Sequence, residues 1–116
     1  RMEILSEAGK QEQLISEIVE YFDYMARMTG TLWENDEPYA SCNHGFASHL
    51  VRIFYRDILG IARVDDNEKK VYLSDSYCAP NSVDTVLPAA FGEIKISIRD
   101  RKRDVILPDG YTAVKL

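Results

Sequence analysis

The stretch Thr31-Leu32-Trp33-Glu34-Asn35-Asp36-Glu37, followed by Ser41-Cys42-Asn43-His44-Gly45-Phe46, lies between two segments with helical periodicity. It holds the only tryptophan of the chain, with a carboxylate directly after it, and it puts an Asn-His pair where the second helix begins. A tryptophan offers a flat apolar face, a glutamate can take a proton from water, and a histidine can bond a hydroxyl. The stretch therefore indicates a sugar site held in turns between two helices.

The segment before this stretch is the clearest predicted helix, from Gln11 to Met28. Apolar residues recur along it at helical spacing, which predicts a stripe packed in a core: Leu14, Ile18, Phe22 and Met25, with Ile15, Val19 and Ala26 beside them. Gly30 is expected to end the helix in the left-handed conformation. Residues 2–8 read as the tail of an earlier helix, which indicates that the chain is a fragment of a longer polypeptide.

The segment after the stretch predicts a second helix, from about Asn43 to Leu59, capped by Ser41 or Asn43. Its expected buried face shares apolar character and helical spacing: Phe46, Leu50, Val51, Phe54 and Ile58. His49, Arg52 and Arg56 are expected on another face, and Gly60 is the stop signal.

The periodicity changes near Ile61, where short strands replace helices. The alternation of Ile94, Ile96 and Ile98 with polar residues is the period-two pattern of a half-buried strand. The predicted strands are 70–73, 84–90, 93–99, 104–107 and 112–116, with turns at 65–67, 91–93 and 108–110 and a solvated turn at 101–104. The chain is therefore predicted to be α+β, with a helical first half and a small antiparallel sheet or sandwich in its second half.

Composition narrows the classes of partner. The 116 residues carry a net charge of −5, which disfavours the phosphate backbone of nucleic acids and anionic membrane surfaces. No apolar run approaches the roughly 20 residues of a membrane span. Neutral sugars remain compatible because they require no net charge. Cys42 and Cys78 form no CxxC pair, which leaves a metal motif unsupported and favours thiols, with one disulfide left open.

Three of these features, in this order, carry a family resemblance. Trp33-Glu34 after a Thr-containing turn, Asn43-His44 at a helix start, and Arg52-Ile53-Phe54-Tyr55-Arg56-Asp57-Ile58-Leu59-Gly60-Ile61 are similar to the end of the catalytic barrel of bacterial α-L-rhamnosidases, glycoside hydrolase family 78. The resemblance continues into a β-rich tail and covers most of the chain. It implies the last helices of an (α/α)6 barrel in residues 1–61 and a C-terminal β-sandwich domain in residues 62–116.

The resemblance also assigns roles to site residues. It implies that Glu34 is the general base of an inverting hydrolysis that releases terminal α-L-rhamnose, and that His44 contacts the bound sugar. A surface carboxylate and a helix-start histidine are the alternatives that the residues alone leave open. Trp33 stacks on the sugar or anchors the loop in the core, and Asn43 contacts the ligand or caps the helix. His44 and His49 are five residues apart, so no i, i+4 histidine pair for a metal is present.

The chain departs from the family pattern at two points. The catalytic acid belongs to a barrel segment upstream that this sequence does not contain, and the loop from Glu34 to His44 is short. Because a lone base cannot complete an inverting mechanism, the 116-residue chain alone is expected to be inactive, whereas the longer parent is expected to be a glycosidase that needs no metal or organic cofactor.

The expected partners are an L-rhamnoside substrate and the missing barrel helices, whose absence favours self-association of the fragment. Extracytoplasmic and cytoplasmic bacterial locations both remain open, because the parent N-terminus is not in this sequence. Two other classes stay open for function: a non-catalytic carbohydrate-binding or interaction module, and a small α+β interaction domain without a sugar site.

Overall fold

The computed structural model describes residues 1–33, 37, 49–78 and 80–116. They form two compact units, Arg1–Ile53 and Phe54–Leu116. The described part of the first unit is helical and that of the second is mainly β, so the chain is α+β, as the change of period predicts. The domain boundary expected between residues 61 and 62 stays a prediction, as does the origin of the helices in a barrel.

The first unit contains α1 (Met2–Glu7), α2 (Gln11–Thr29) and α3 (His49–Ile53) among its described residues. The predicted bounds of α2 are accurate to one residue. Gly30 follows α2 in the left-handed conformation, with φ of 72°, and its N–H donates to the Ala26 carbonyl at 2.9 Å. A residue without a Cβ adopts this conformation at little cost, which is why the helix ends there.

Only part of the apolar stripe predicted along α2 is buried in the core of the first unit. Leu14 and Met25 are fully buried, and Phe22 is nearly so. Each such side chain contributes roughly 1.5–3 kcal/mol by leaving water. Val19 was expected beside this stripe, yet it is 57% exposed, and Ala26 is exposed too. The described helices therefore cover a narrower arc of α2 than its apolar residues span.

The second predicted helix needs correction in its described part. Its α-helical portion is α3, and residues Phe54–Ile58 form a π-helical turn in which the Leu59 N–H donates to the Phe54 carbonyl, five residues back, at 3.0 Å. The wider turn shifts the phase of the buried face. Val51, expected inside, is 56% exposed, while Ile53 is 1% exposed. Residues 43–48, including the predicted Phe46 position, lie outside the described residues.

The second unit contains six strands among its described residues: β1 (Ile61–Asp65), β2 (Lys70–Leu73), β3 (Ser82–Ala89), β4 (Gly92–Arg99), β5 (Lys102–Ile106) and β6 (Thr112–Lys115). One sheet has the order β1-β2-β6, with β1 antiparallel and β6 parallel to β2. The other is an antiparallel meander in the order β3-β4-β5.

Two details of the strand prediction were wrong. Strand β1 was missed because its register shifts between Ile61 and Arg63, and such a bulge interrupts the alternation on which the prediction depends. The charged run 101–104 was expected to be a turn, but the turn consists of Asp100 and Arg101, with φ of 49° and 63°. Two positive φ values suit a two-residue hairpin, so Lys102 already belongs to β5.

The predicted alternation along β4 is confirmed. Ile94, Ile96 and Ile98 are at most 1% exposed, whereas Lys95 on the opposite face is exposed. Val71 and Leu73 of β2 are buried as well. The apolar residues of both sheets, together with Ile58 and Leu59 before β1, thus form the core of this unit.

Arg103 connects the two sheets. Its Nη1 donates to the carbonyls of Leu59, Gly60 and Ser74 at 2.8, 3.0 and 3.0 Å, and its guanidinium lies 4.3 Å from the centre of the Tyr77 ring. Only 7% of the side chain is exposed. A guanidinium carries five donors in a fixed plane, which suits a place where several carbonyls converge.

A second connection joins three turns of the same unit. The Tyr111 hydroxyl donates to Asp66 Oδ1 at 2.5 Å, and the Ala90 N–H donates to the same oxygen at 3.1 Å. These hydrogen bonds hold the pKa of the Asp66 carboxyl below its usual range, while burial and the neighbouring carboxylate raise the pKa of Tyr111. The carboxylate therefore fixes the β1–β2 turn, the β3–β4 turn and the start of β6 to one another.

Candidate functional site

Trp33 is fixed to the last turn of α2. Its indole Nε1 donates to Thr29 Oγ1 at 2.7 Å, and its backbone N–H points at Met25 Sδ, 3.4 Å away. The Thr29 hydroxyl also lies 2.8 Å from the Thr31 hydroxyl and 3.3 Å from the Met25 carbonyl. Because α2 ends at Gly30, the chain turns back over its own helix end, and the tryptophan is held there by side-chain bonds.

The surroundings of Trp33 are partly core and partly aromatic surface. The half-buried indole packs with Leu32 and Leu50 against the cluster of Phe22 and Met25. Its ring meets Tyr24 edge to face, with 5.6 Å between centroids and 78° between planes. Both predicted roles of Trp33 are compatible with this position: part of the ring anchors the loop, and part remains accessible for a ligand.

The other predicted site residues lie outside the described residues. These are the proposed base Glu34 and the proposed sugar contacts Asn43 and His44. Their roles stay predictions. The structure thus describes one of the four predicted site residues, Trp33.

A cleft of about 700 Å³ opens in the first unit between α1, α2 and α3. Its volume falls within the range of small-molecule sites. Besides Met2, the cleft is lined by basic, acidic, aromatic and imidazole side chains: Arg1, Glu3, Glu17, Glu20, Tyr21, Tyr24 and His49. Tyr24 belongs both to this cleft and to the contact with Trp33, so the cleft adjoins the tryptophan.

Two of the three cleft carboxylates form ion pairs with arginine side chains. Arg1 donates to both oxygens of Glu17 at 2.6 and 2.7 Å, and Arg52 donates to Glu3 at 3.1 Å. The hydrogen bonds from Arg1, followed by one from Gln13, lower the pKa of Glu17 to about 2. Among the residues that the structure describes, Glu20 has no hydrogen-bond or ion-pair partner. Its carboxylate oxygens are therefore available to accept hydrogen bonds from a ligand.

Sequence reasoning did not single out this cleft. Glu17, Glu20, Tyr21 and Tyr24 carried no predicted role in a site. The available signal was spacing, because Glu17, Glu20, Tyr21 and Tyr24 recur three and four residues apart and so share one face of a helix. What the sequence could not supply is the pair of neighbouring helices that turn this face into a concavity.

The described residues contain neither a candidate metal centre nor a candidate membrane span. In that part of the chain, no three His, Cys, Asp or Glu side chains cluster in a way that could hold a metal ion. No described helix combines the length and apolar character needed to cross a bilayer. Cys78 is a half-buried thiol, and Cys42 lies outside the described range.

Comparison of the chain with protein-family models, curated proteins and solved structures gave no significant match.

Proposed function

We propose that this chain is the C-terminal part of a glycoside hydrolase that releases terminal α-L-rhamnose with inversion, and that Glu34 is its general base. The observation that carries the proposal is the anchoring of Trp33, the residue directly before Glu34, by the Thr29 hydroxyl. A catalytic group must be held in productive geometry, and a neighbour fixed to a helix end supports that requirement. The resemblance of the Trp33-Glu34 and Asn43-His44 motifs to α-L-rhamnosidases supplies the reaction class.

In this mechanism, Glu34 takes a proton from water as the water oxygen bonds to the anomeric carbon. The bond from that carbon to the leaving oxygen breaks, and an acid from another part of the polypeptide donates a proton to the oxygen. The base and the acid stand on opposite faces of the sugar, so the product has the inverted configuration. His44 and Asn43 bond sugar hydroxyls, and Trp33 covers an apolar face of the sugar. This division of roles explains why the 116-residue chain alone should not turn over.

The described geometry also supports sugar binding in its own right. Tyrosine and tryptophan rings next to carboxylates that accept hydrogen bonds from hydroxyls are suited to a polyhydroxylated ligand with apolar ring faces. Because the cleft beside Trp33 has this composition, a non-catalytic carbohydrate-binding module is the second candidate. The two candidates differ in one property, turnover that depends on Glu34.

The test is nitrophenol release from an aryl α-L-rhamnoside by the polypeptide that contains this chain, compared with its Glu34→Gln variant. Loss of a general base lowers the rate by about 10²- to 10⁴-fold, and the variant should retain sugar binding. Glu12→Gln, an exposed change on α2, is the matched control and should leave turnover unaltered. Equal activity in the parent and Glu34→Gln would remove Glu34 from the mechanism, while binding without turnover in the parent would favour the binding module.

A further inference from the structure

Strand β3 is the longest edge strand among the described strands of the second unit. It has eight residues and pairs with β4 on one side, whereas the other edge strands, β1, β5 and β6, have five, five and four residues. An open edge presents unpaired N–H and C=O groups to which another strand can add, and a long edge offers more of them than a short one. Strand β3 is therefore the edge of this unit that is most open to strand addition.

The register of the hairpin shows which backbone groups of β3 point outward. Ala89 and Gly92 flank the two-residue turn to β4, so they form a hydrogen-bonded pair. Such pairs alternate along an antiparallel ladder, so Leu87, Thr85 and Val83 bond to β4. The N–H and C=O groups of the residues between them point away from β4, and these outward residues are Ser82, Asp84, Val86 and Pro88.

Two of the outward positions are already blocked. Pro88 has no N–H and cannot donate to an added strand. The Tyr55 hydroxyl donates to the outward carbonyl of Val86 at 3.0 Å, and it lies 3.3 Å from Thr85 Oγ1. The π-helical turn that carries Tyr55 thus sets a side chain against the middle of the β3 edge.

A second copy of this chain is the occupant that these contacts oppose. Identical strands can pair antiparallel about a two-fold axis, which makes one edge both template and partner. Centred on Thr85 or on Val86, this pairing uses the Val86 carbonyl that Tyr55 holds. Centred on Asp84, it sets two exposed carboxylates opposite each other, which destabilises the pair.

We infer that Tyr55 guards the β3 edge and prevents the chain from pairing β3 with the β3 of a second copy. The inference does not depend on the proposed function, because it uses only contacts within the second unit.

The test replaces Tyr55 in the 116-residue chain and measures self-association by sedimentation and amide exchange residue by residue. Tyr55→Ser should lower the dissociation constant of the dimer about tenfold or more, since it frees both the Val86 carbonyl and the space of the ring. Exchange of the Asp84 and Val86 amides should slow as the concentration of this variant rises, because their N–H groups then bond to a second copy.

Two further variants separate the guard from a general effect on folding. Tyr55→Phe keeps the ring against Phe54 and removes one hydrogen bond, so it should lower the dissociation constant about fivefold, and it decides the question where Tyr55→Ser does not fold. Val86→Pro removes an N–H that points away from β4. Added to either Tyr55 variant, it should leave the β3–β4 ladder intact and restore the dissociation constant of the unaltered chain.

The exchange data decide between the outcomes. Concentration-dependent protection of the Asp84 and Val86 amides in the Tyr55 variants, abolished by Val86→Pro, would establish the guard. Exchange at these two amides that is independent of concentration would overturn it, and so would self-association that Val86→Pro does not reverse.

Discussion

The Trp33 indole Nε1 donates a 2.7 Å hydrogen bond to the hydroxyl of Thr29, the last residue of α2. The loop residue that precedes the proposed base is thereby tied to a rigid element. The connection is short in sequence and uses two side chains, so its contribution can be tested by changing one of them.

Thr29→Val should loosen Trp33 with little change of volume. The substitution removes the acceptor of the indole N–H, at a cost of about 1 kcal/mol in the free energy of unfolding. Because Trp33 is the only tryptophan, its fluorescence anisotropy should fall and its emission should respond more strongly to a soluble quencher. Thr112→Val, on an exposed position of β6, is the control and should leave both signals unchanged. Unaltered anisotropy in Thr29→Val would show that packing alone holds the indole.

Gly60 and Gly30 form a matched pair for the second prediction. Both are left-handed, with φ of 71° and 72°. A Cβ at Gly30 would meet nothing within 4 Å, whereas a Cβ at Gly60 would overlap Arg103 Nη1 and lie 2.7 Å from the Ser74 carbonyl oxygen. Gly30→Ala should therefore cost about 1 kcal/mol in unfolding free energy, from backbone strain alone. Gly60→Ala should cost about 3 kcal/mol or more, since overpacking adds to the same strain.

Denaturant unfolding of both glycine variants measures this difference directly. Equal losses would mean that the space around Gly60 adapts freely, and they would contradict the tight convergence of Arg103 and Ser74 on that residue.

Arg103→Met should destabilise the second unit by about 3 kcal/mol. The substitution removes the donor that the carbonyls of Leu59, Gly60 and Ser74 share. The Gly60 carbonyl keeps the Ser74 N–H at 2.9 Å, so the carbonyls of Leu59 and Ser74 carry the loss. Unsatisfied buried polar groups cost roughly 1–3 kcal/mol each, and part of this is recovered where water reaches them. Arg101→Met, at an exposed turn position, should change the unfolding free energy by less than about 0.5 kcal/mol. Similar unfolding midpoints for both variants would contradict the structural role of Arg103.

The contact between Tyr111 and Asp66 predicts how stability depends on pH. Folding lowers the pKa of Asp66 from 3.8. Its contribution to the free energy of unfolding is therefore present above about pH 4 and is lost as the pH falls through the lower pKa of the folded state. Folding raises the pKa of Tyr111 from 10.0. Its contribution to the free energy of unfolding is therefore present below about pH 10 and is lost as the pH rises through the higher pKa of the folded state. Tyr111→Phe should weaken both dependences.

The test measures the free energy of unfolding of the parent chain and of Tyr111→Phe at acidic and at alkaline pH. It shows whether stability changes with pH in the two directions given above. Tyr72→Phe is the control for loss of a hydroxyl elsewhere in the same unit. Parallel curves for the parent and Tyr111→Phe would show that this contact does not govern either limb.

Much of the fold could be predicted from local patterns. The stripe from Leu14 to Met25, the glycine after α2 and the alternation from Ile94 to Ile98 are signals carried by neighbouring residues, and the structure confirms them. The predictions that were wrong failed where a turn or bulge interrupts the regular period of a helix or a strand. The π-helical turn at Phe54–Ile58 shifted the buried face to Ile53, and the bulge near Ile61 hid β1.

The site was less predictable than the fold. A tryptophan beside a glutamate can be recognised from sequence, but the anchoring of Trp33 depends on a helix end that turns back to Thr29. The cleft around Glu20 and Tyr24 requires residues from three helices. The pattern within one segment does not show which distant segments pack against it. The contacts of Arg103 are non-local in the same sense, because they join residues more than 25 positions apart.

The most direct test of Glu34 as a general base is chemical rescue of Glu34→Ala in the polypeptide that contains this chain. Azide needs no deprotonation, so it can replace the activated water when the base is missing. We predict that the variant loses about 10²- to 10⁴-fold in turnover of an aryl α-L-rhamnoside, and that azide restores nitrophenol release. Proton NMR should then identify the inverted product, β-L-rhamnosyl azide. Full activity of Glu34→Ala without azide, or a variant that azide does not rescue, would contradict the assignment of Glu34.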